Sequence, residues 1–253
     1  MNLLIDIGNS RIKWCLHDNS ENKFVSIGAM FHDKSALDEL FCEHWNHLAS
    51  PSRVLVSNVS GSDIAEKLDA WIKKAWQINT EYVKSEAHSY GLSNAYLDTS
   101  KLGVDRWMAI VAAWHRYQSY QEDICVVDCG TAMTIDGISK SGQHLGGLII
   151  PGYTMMQEVL ANNTSDINTI RTTSSSFNFS NSTEQAVNSG CYLAMLATID
   201  RVVTLMKNDA DGQVRCIITG GNAELVIEDL ADEFEYDPNL VLHGLTIFSG
   251  QAQ

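Results

Sequence analysis

A plan that occurs twice constrains the fold of this chain more than any other feature. Leu4-Ile5-Asp6-Ile7-Gly8-Asn9-Ser10-Arg11-Ile12-Lys13 and Val126-Val127-Asp128-Cys129-Gly130-Thr131-Ala132-Met133-Thr134-Ile135 both run apolar strand, Asp-x-Gly, polar residue, second strand. The copies are offset by nearly half of the 253 residues. Recurrence at that spacing points to a duplicated α/β unit whose two hairpins face each other across a cleft. In the first copy Leu3-Leu4-Ile5 is a continuous apolar run, the pattern of a strand covered on both faces. Ile12, Trp14 and Leu16 then alternate with Lys13 and Cys15, so the chain returns as a second strand through Gly8-Asn9-Ser10. A third stretch, Cys216-Ile217-Ile218-Thr219-Gly220-Gly221-Asn222-Ala223, is an apolar strand ending in a glycine pair with a helix to follow, a place able to admit a nucleoside.

The first turn has two readings. A tight hairpin with an aspartate beside it is common in sheets that bind nothing. The same residues also suit a phosphate: Gly8 lets the backbone approach an anion, Asn9 and Ser10 supply donors, Lys13 adds charge, and Asp6 can hold magnesium directly or through water. Alone, the stretch favours the plain hairpin, because short glycine motifs match often by chance. The second copy shifts the balance toward phosphate.

Around these motifs the chain alternates strand and helix. Residues 1 to about 31 read as three strands with a turn at Asp18-Asn19-Ser20, and Ser35 to Leu48 carries apolar residues at helical spacing. Val54-Leu55-Val56 is a short buried strand, and Ser57 to Gly61 is a loop at its carboxyl end, the side on which α/β sheets bind ligands. Asp63 to Trp76 is a second helix. The polar span Lys84 to Ser100, with Tyr90, Gly91, Asn94 and Tyr96, reads as a long loop of the kind that is commonly functional or disordered. Gly103-Val104-Asp105-Arg106 opens a helix striped with Trp107, Ile110, Val111 and Trp114, so Asp105 and Arg106 fall in its first turn. On these residues alone Asp105 is an N-terminal helix charge and Arg106 its surface partner. In the second half Gly137 to Gly147 is a hairpin, and a helix surrounds Met155 to Leu160. The polar span centred on Thr172-Thr173-Ser174-Ser175-Ser176 is expected to be mobile. Asn181-Ser182-Thr183-Glu184 offers a capping box for a long helix. A helix near Ala223 to Leu230 and a strand at Leu240 to Leu242 complete the expectation.

At 45% hydrophobic residues the chain can bury one or two cores. Its net charge of -14 argues against nucleic acid, which demands clustered Lys and Arg, and requires a nucleotide triphosphate to be held by local donors and a cation. The sequence opens directly on a strand, and no apolar run approaches the roughly 18 residues of a membrane span, so a cytoplasmic protein without a membrane partner is expected. Cys15, Cys42, Cys125, Cys129, Cys191 and Cys216 form no Cys-x-x-Cys pair and read as small core residues, with Cys129 a spacer between Asp128 and Gly130. Cys42-Glu43-His44-Trp45-Asn46-His47 has ligand types at close spacing, but a solvated helix end accounts for it.

The motifs Asp6 to Asn9, Asp128 to Thr131 and Thr219 to Asn222, in this order, resemble the acetate and sugar kinase, heat-shock chaperone and actin superfamily. With Gly103-Val104-Asp105-Arg106-Trp107 and the short length, the chain is similar to type III pantothenate kinase from Met1 to about Gly244. The resemblance implies an α/β fold of duplicated actin-like (ribonuclease H-like) domains with a cleft between them, divided into 1-118 and 119-253. It implies ATP-dependent phosphorylation of the 4′-hydroxyl of pantothenate, the first committed step of coenzyme A synthesis. ATP would then be bound by Asp6, Gly8, Asn9, Ser10, Lys13, Thr131, Gly220 and Gly221, with Mg2+ at Asp6. Tyr96, Gly103, Val104, Asp105, Arg106 and Thr183 would bind pantothenate. Within that pocket the resemblance makes Asp105 the catalytic acceptor of the hydroxyl proton, and Arg106 the partner of the substrate carboxylate through two parallel hydrogen bonds. It links Asp128 to a monovalent cation, potassium or ammonium. It also implies a homodimer in which Thr183 of one protomer completes the pocket containing Asp105 of the other. No Gly-x-x-x-x-Gly-Lys-Ser/Thr loop is present, which leaves the hairpins to hold phosphate. A non-catalytic nucleotide-binding regulator on the same fold and a small-sugar kinase stay open as alternatives, the first disfavoured by retention of Asp6, Asp105, Arg106 and Asp128.

Overall fold

The two copies of the strand-turn-strand plan become the centres of two five-stranded sheets with the same order and the same strand senses. The computed structural model describes residues 1-164, 178-209 and 212-250, and the run at Thr172 to Ser176 lies outside the described residues. The chain packs as two units. One comprises residues 1-87, 96-112 and 240 onward, and the other residues 88-95 and 113-239.

In the first unit β1 (Asn2–Ile7), β2 (Arg11–Asp18), β3 (Lys23–Phe31), α1 (Leu37–Trp45), β4 (Arg53–Asn58), α2 (Ser62–Trp76) and β5 (Thr80–Tyr82) follow one another. The sheet order is β3-β2-β1-β4-β5, antiparallel on the β2 side of β1 and parallel on the β4 side. Leu3, Ile5 and Ile7 of β1 pack with Val54 and Val56 of β4 against Leu37, Phe41 and Trp45 of α1 and Ile64, Leu68 and Ile72 of α2. Leu4 and Leu55, of opposite parity, are equally buried, so the central strands are covered on both faces, as their unbroken apolar runs require.

In the second unit β6 (His88–Ser89) and β7 (Leu92–Ser93) form a small hairpin. The helix α3 (Val104–Tyr117) starts in the first unit and leads, past Ala112, into the second. There follow β8 (Asp123–Cys129), β9 (Ala132–Ile138), β10 (His144–Pro151), α4 (Tyr153–Asn163), α5 (Thr183–Asp209), β11 (Val214–Thr219) and β12 (Phe234–Tyr236). The order β10-β9-β8-β11-β12 repeats the first sheet strand for strand. Val187, Cys191, Met195, Ile199 and Val203 recur every four residues along α5 and bury one stripe of it on this sheet. The buried His144 ring bonds Asp136 through Nε2 at 3.0 Å, and its Nδ1 accepts the Ala95 amide at 3.4 Å, which ties the 88-95 segment to this unit.

Several expectations change. Leu240 to Leu242 is not a strand but the start of α6 (Leu240–Gly250), which returns to the first unit and packs on β1, β2 and β4. A three-residue apolar run suits either period, and here the sheet face decides. The helix passes α3 at Gly244, where a Cβ would stand 2.1 Å from the Met108 carbonyl oxygen. Ala223 to Leu230 forms only two short 3-10 turns, Ala223–Leu225 and Ile227–Asp229. The cap of α5 is Ser182, whose hydroxyl accepts the Gln185 amide, one residue later than the Asn181 expected to open it. Cys42 is exposed, while the other five cysteines are buried.

Candidate active site

The end of β1 sets out the first group of residues. Asp6 lies in register between Lys13 on β2 and Ser57 on β4, and the Ser57 hydroxyl donates to its Oδ1 at 3.2 Å. The chain then turns tightly: the Gly8 amide donates to the Arg11 carbonyl at 3.0 Å, and a Cβ on Gly8 would come within 3.2 Å of that oxygen. Asn9 and Ser10 are left exposed at the tip, where their donors can meet an incoming anion. The Val59 amide donates to the Ile7 carbonyl at 3.1 Å, which draws the loop after β4 to the same sheet end.

That loop also meets the start of α3. A Cβ on Gly103 would lie 3.8 Å from Val59 Cγ1 and 2.6 Å from Asp105 Oδ1, so only glycine leaves the Asp105 carboxylate where it is. Asp105 Oδ1 accepts the Arg106 amide at 2.7 Å, in the first helical turn where the N-terminal partial charge favours an anion. Arg106 is not a surface partner: it is 6% exposed, and its Nη1 donates to the Tyr96 hydroxyl at 2.9 Å. A buried guanidinium is costly unless its donors are used, so this placement reads as purposeful. Of the residues expected to act, Asp6, Gly8, Asn9, Ser10, Lys13, Tyr96, Gly103, Val104, Asp105 and Arg106 all belong to this unit.

In the second unit Asp128 occupies the position of Asp6, between Thr134 on β9 and Thr219 on β11. Its turn is one residue shorter: Cys129 pairs with Met133, whereas Ile7 pairs with Ile12 across the longer first turn. The structural counterpart of Lys13 is therefore Thr134, not the Ile135 that an ungapped overlay of the two copies supplies. Gly220, at φ +97°, closes on this turn, and a Cβ there would be 2.5 Å from Asp128 Oδ1 and 2.5 Å from the Cys129 amide nitrogen. The Asn222 amide donates to the Cys129 carbonyl at 2.9 Å, and the Gly152 amide, just before α4, to the Thr131 carbonyl at 3.0 Å. The Asp128-Thr131 turn, the Gly220-Asn222 turn and the start of α4 thus converge. Thr131 and Gly221 are exposed there, and Thr183 is exposed in the first turn of α5. Burial holds the Cys129 thiol far above its ordinary range, which suits a spacer and not a nucleophile.

Ser57 and Gly152 escaped the motif reading. Ser57 was legible only as part of a loop at a strand's carboxyl end, and Gly152 only as half of a Pro-Gly pair.

Two like sheets, each ending in an Asp-x-Gly turn beside a hydroxyl residue, define an actin-like α/β protein with the parts of a phosphotransferase. Two solved structures share the fold: a conserved Baf family protein from Campylobacter jejuni (TM-score 0.58, 24% identity, 98% of each chain) and the ethanolamine utilization protein EutJ from Carboxydothermus hydrogenoformans (TM-score 0.54, 13% identity, 97% of this chain and 89% of that one). The chain belongs to the type III pantothenate kinase family, whose sequence model matches residues 2–205. It is 39% identical to the type III pantothenate kinase of Nitrosococcus oceani over 247 residues, covering 97% of this chain and 92% of that protein. It is 30% identical to that of Alcanivorax borkumensis over the whole of both chains.

Proposed function

We infer that this protein transfers the γ-phosphoryl group of ATP to the 4′-hydroxyl of pantothenate, the first step of coenzyme A synthesis. The observation that carries the reading is the Asp105-Arg106 pair at the start of α3, with Arg106 buried and bonded to Tyr96. Asp105 would accept the hydroxyl proton as the new O–P bond forms and the bond to the β-phosphate oxygen breaks, releasing ADP. Arg106, oriented by Tyr96, would hold the substrate carboxylate, while Gly103 and Val104 shape the wall beside Asp105.

Asp6, Gly8, Asn9, Ser10 and Lys13 would receive the triphosphate, and Thr131, Gly220 and Gly221 the rest of the nucleotide. Asp6 fits a hydrated Mg2+: it is a half-buried carboxylate at an open strand end with a hydroxyl beside it. The ion supplies neutralisation of phosphate charge. Asp128 fits a monovalent cation, potassium or ammonium, because glycines at 130 and 220 keep side chains off its carboxylate.

A homodimer is supported by apolar surface on the second unit. Leu145, Leu148 and Ile149 on β10 and Leu193 and Leu205 on α5 are all exposed and offer apolar side chains that a twin could cover. In that dimer Thr183 of one protomer would complete the pantothenate pocket of the other. The net charge of -14 speaks against nucleic acid, and dependence on ATP favours the cytoplasm. A coupled assay of ADP release with pantothenate and a panel of sugars tests the reading. Turnover on sugars but not on pantothenate would overturn it.

A further inference from the structure

His32, one residue beyond β3 and outside every glycine motif, touches the Gly8-Ser10 turn twice. Its Nε2–H donates to the Gly8 carbonyl at 3.0 Å, and its own amide donates to the Ser10 carbonyl at 3.2 Å. The residue is 9% exposed. Because a carbonyl can only accept, Nε2 must carry the proton. Nδ1 is buried with no hydrogen-bond partner among the described residues, so the Gly8 carbonyl is the polar contact that sets the ring. Two residues on, Lys34 Nζ donates to the Ser60 carbonyl at 2.8 Å and so holds the loop after β4, the one that meets Gly103.

We propose that His32 is a positioning residue for nucleotide binding, which, with Lys34, clasps the Gly8-Ser10 turn and the Ser57-Gly61 loop at the end of the first sheet. The inference rests on the reading of that turn as the triphosphate seat. The physical need is plain: a turn that takes an anion must present its donors at fixed places, and Asn9 and Ser10 stand exposed at its tip. With the Gly8 and Ser10 carbonyls both bonded to His32, the turn between them keeps its shape.

The test compares His32→Gln with His32→Asn in the full-length protein. The longer amide can place an N–H near the Nε2 position, and the shorter one cannot, yet both bury a similar polar group. Amide hydrogen exchange of the Gly8-Ser10 turn should rise in His32→Asn and stay near wild type in His32→Gln. The KM for ATP should rise about 10-fold or more in His32→Asn, with the KM for pantothenate within about 2-fold, and His32→Gln should restore most of the loss. Equal exchange in both variants, or parallel rises in the two KM values, would overturn the inference. Faster exchange in His32→Asn with no change in ATP affinity, joined by a silent Gly8→Ala, would uphold the clasp and overturn the phosphate-seat reading.

Discussion

Asp105→Asn keeps the shape of the side chain while removing its charge and its capacity to take up a proton. Asparagine's Oδ1 can still accept the Arg106 amide as Asp105 Oδ1 does, so Asp105→Asn should keep the helix start. The expected outcome is a fall in kcat of at least about 100-fold with little change in nucleotide binding, measured by steady-state kinetics and nucleotide titration. Near-normal turnover would remove Asp105 from the chemistry. Arg106→Lys replaces a planar fork by a point charge, so the KM for pantothenate should rise by roughly 10-fold or more while pantothenyl alcohol, which lacks the carboxylate, is affected far less. Equal losses on both would show that Arg106 serves the fold and not the substrate. For Asp128, activity in sodium buffer should rise on adding potassium or ammonium, and Asp128→Ala should abolish that response. A wild-type enzyme equally active in all three salts would exclude the cation site.

At the scale of elements, α6 shows how a contact can decide where a segment belongs. Alanine ordinarily favours a helix over glycine by about 1 kcal/mol, but at Gly244 the added methyl meets the α3 backbone at Met108, which cannot swing aside. Gly244→Ala should therefore destabilise the protein, by about 1–3 kcal/mol for an overpacked contact. Gly250→Ala, at a position with nothing within 4 Å, should stay within about 0.5 kcal/mol of wild type. Chemical denaturation of both variants checks this, and a stabilised Gly244→Ala would mean that α6 does not press on α3 as described. Arg53 reinforces the docking, holding the Ser249 carbonyl at 3.1 Å while its other nitrogens fork onto Glu81 at 2.8 and 2.7 Å.

For the whole molecule the decisive question is whether a pocket is shared between protomers. Co-expressing Asp105→Asn with Thr183→Trp yields some mixed dimers. With a shared pocket, one of the two sites in a mixed dimer receives both intact residues, and activity should exceed that of either parent. With a pocket built within one chain, every site keeps a lesion and mixing restores nothing. Sedimentation of the wild type as a monomer at assay concentration would rule out sharing before any mixing.

What the sequence determined by itself was whatever is written in local order. The twofold strand-turn-strand plan, the unbroken apolar runs and the glycines beside Asp6 and Asp128 specify the sheets and the tight turns at their ends, because strand period and steric room act within a few residues. The Asp105-Arg106 pair was visible in the same way, as the first turn of a striped helix. Tertiary structure decided the rest. Arg106 becomes a buried partner of Tyr96 only when the loop before α3 folds over it, and Ser57 reaches Asp6 only through the pairing of β4 with β1. The second hairpin lost a residue that no ungapped overlay could place, and α6 went back to the first unit although it closes the second half of the chain. His32 carries no motif at all. Its hold on the Gly8-Ser10 turn comes from the pairing of β2 with β3, which sets Arg11 beside Phe31 and so brings the next residue to the turn. Apart from the shorter second turn, each of these rests on contacts between separate segments, and such contacts leave no periodic trace in the chain.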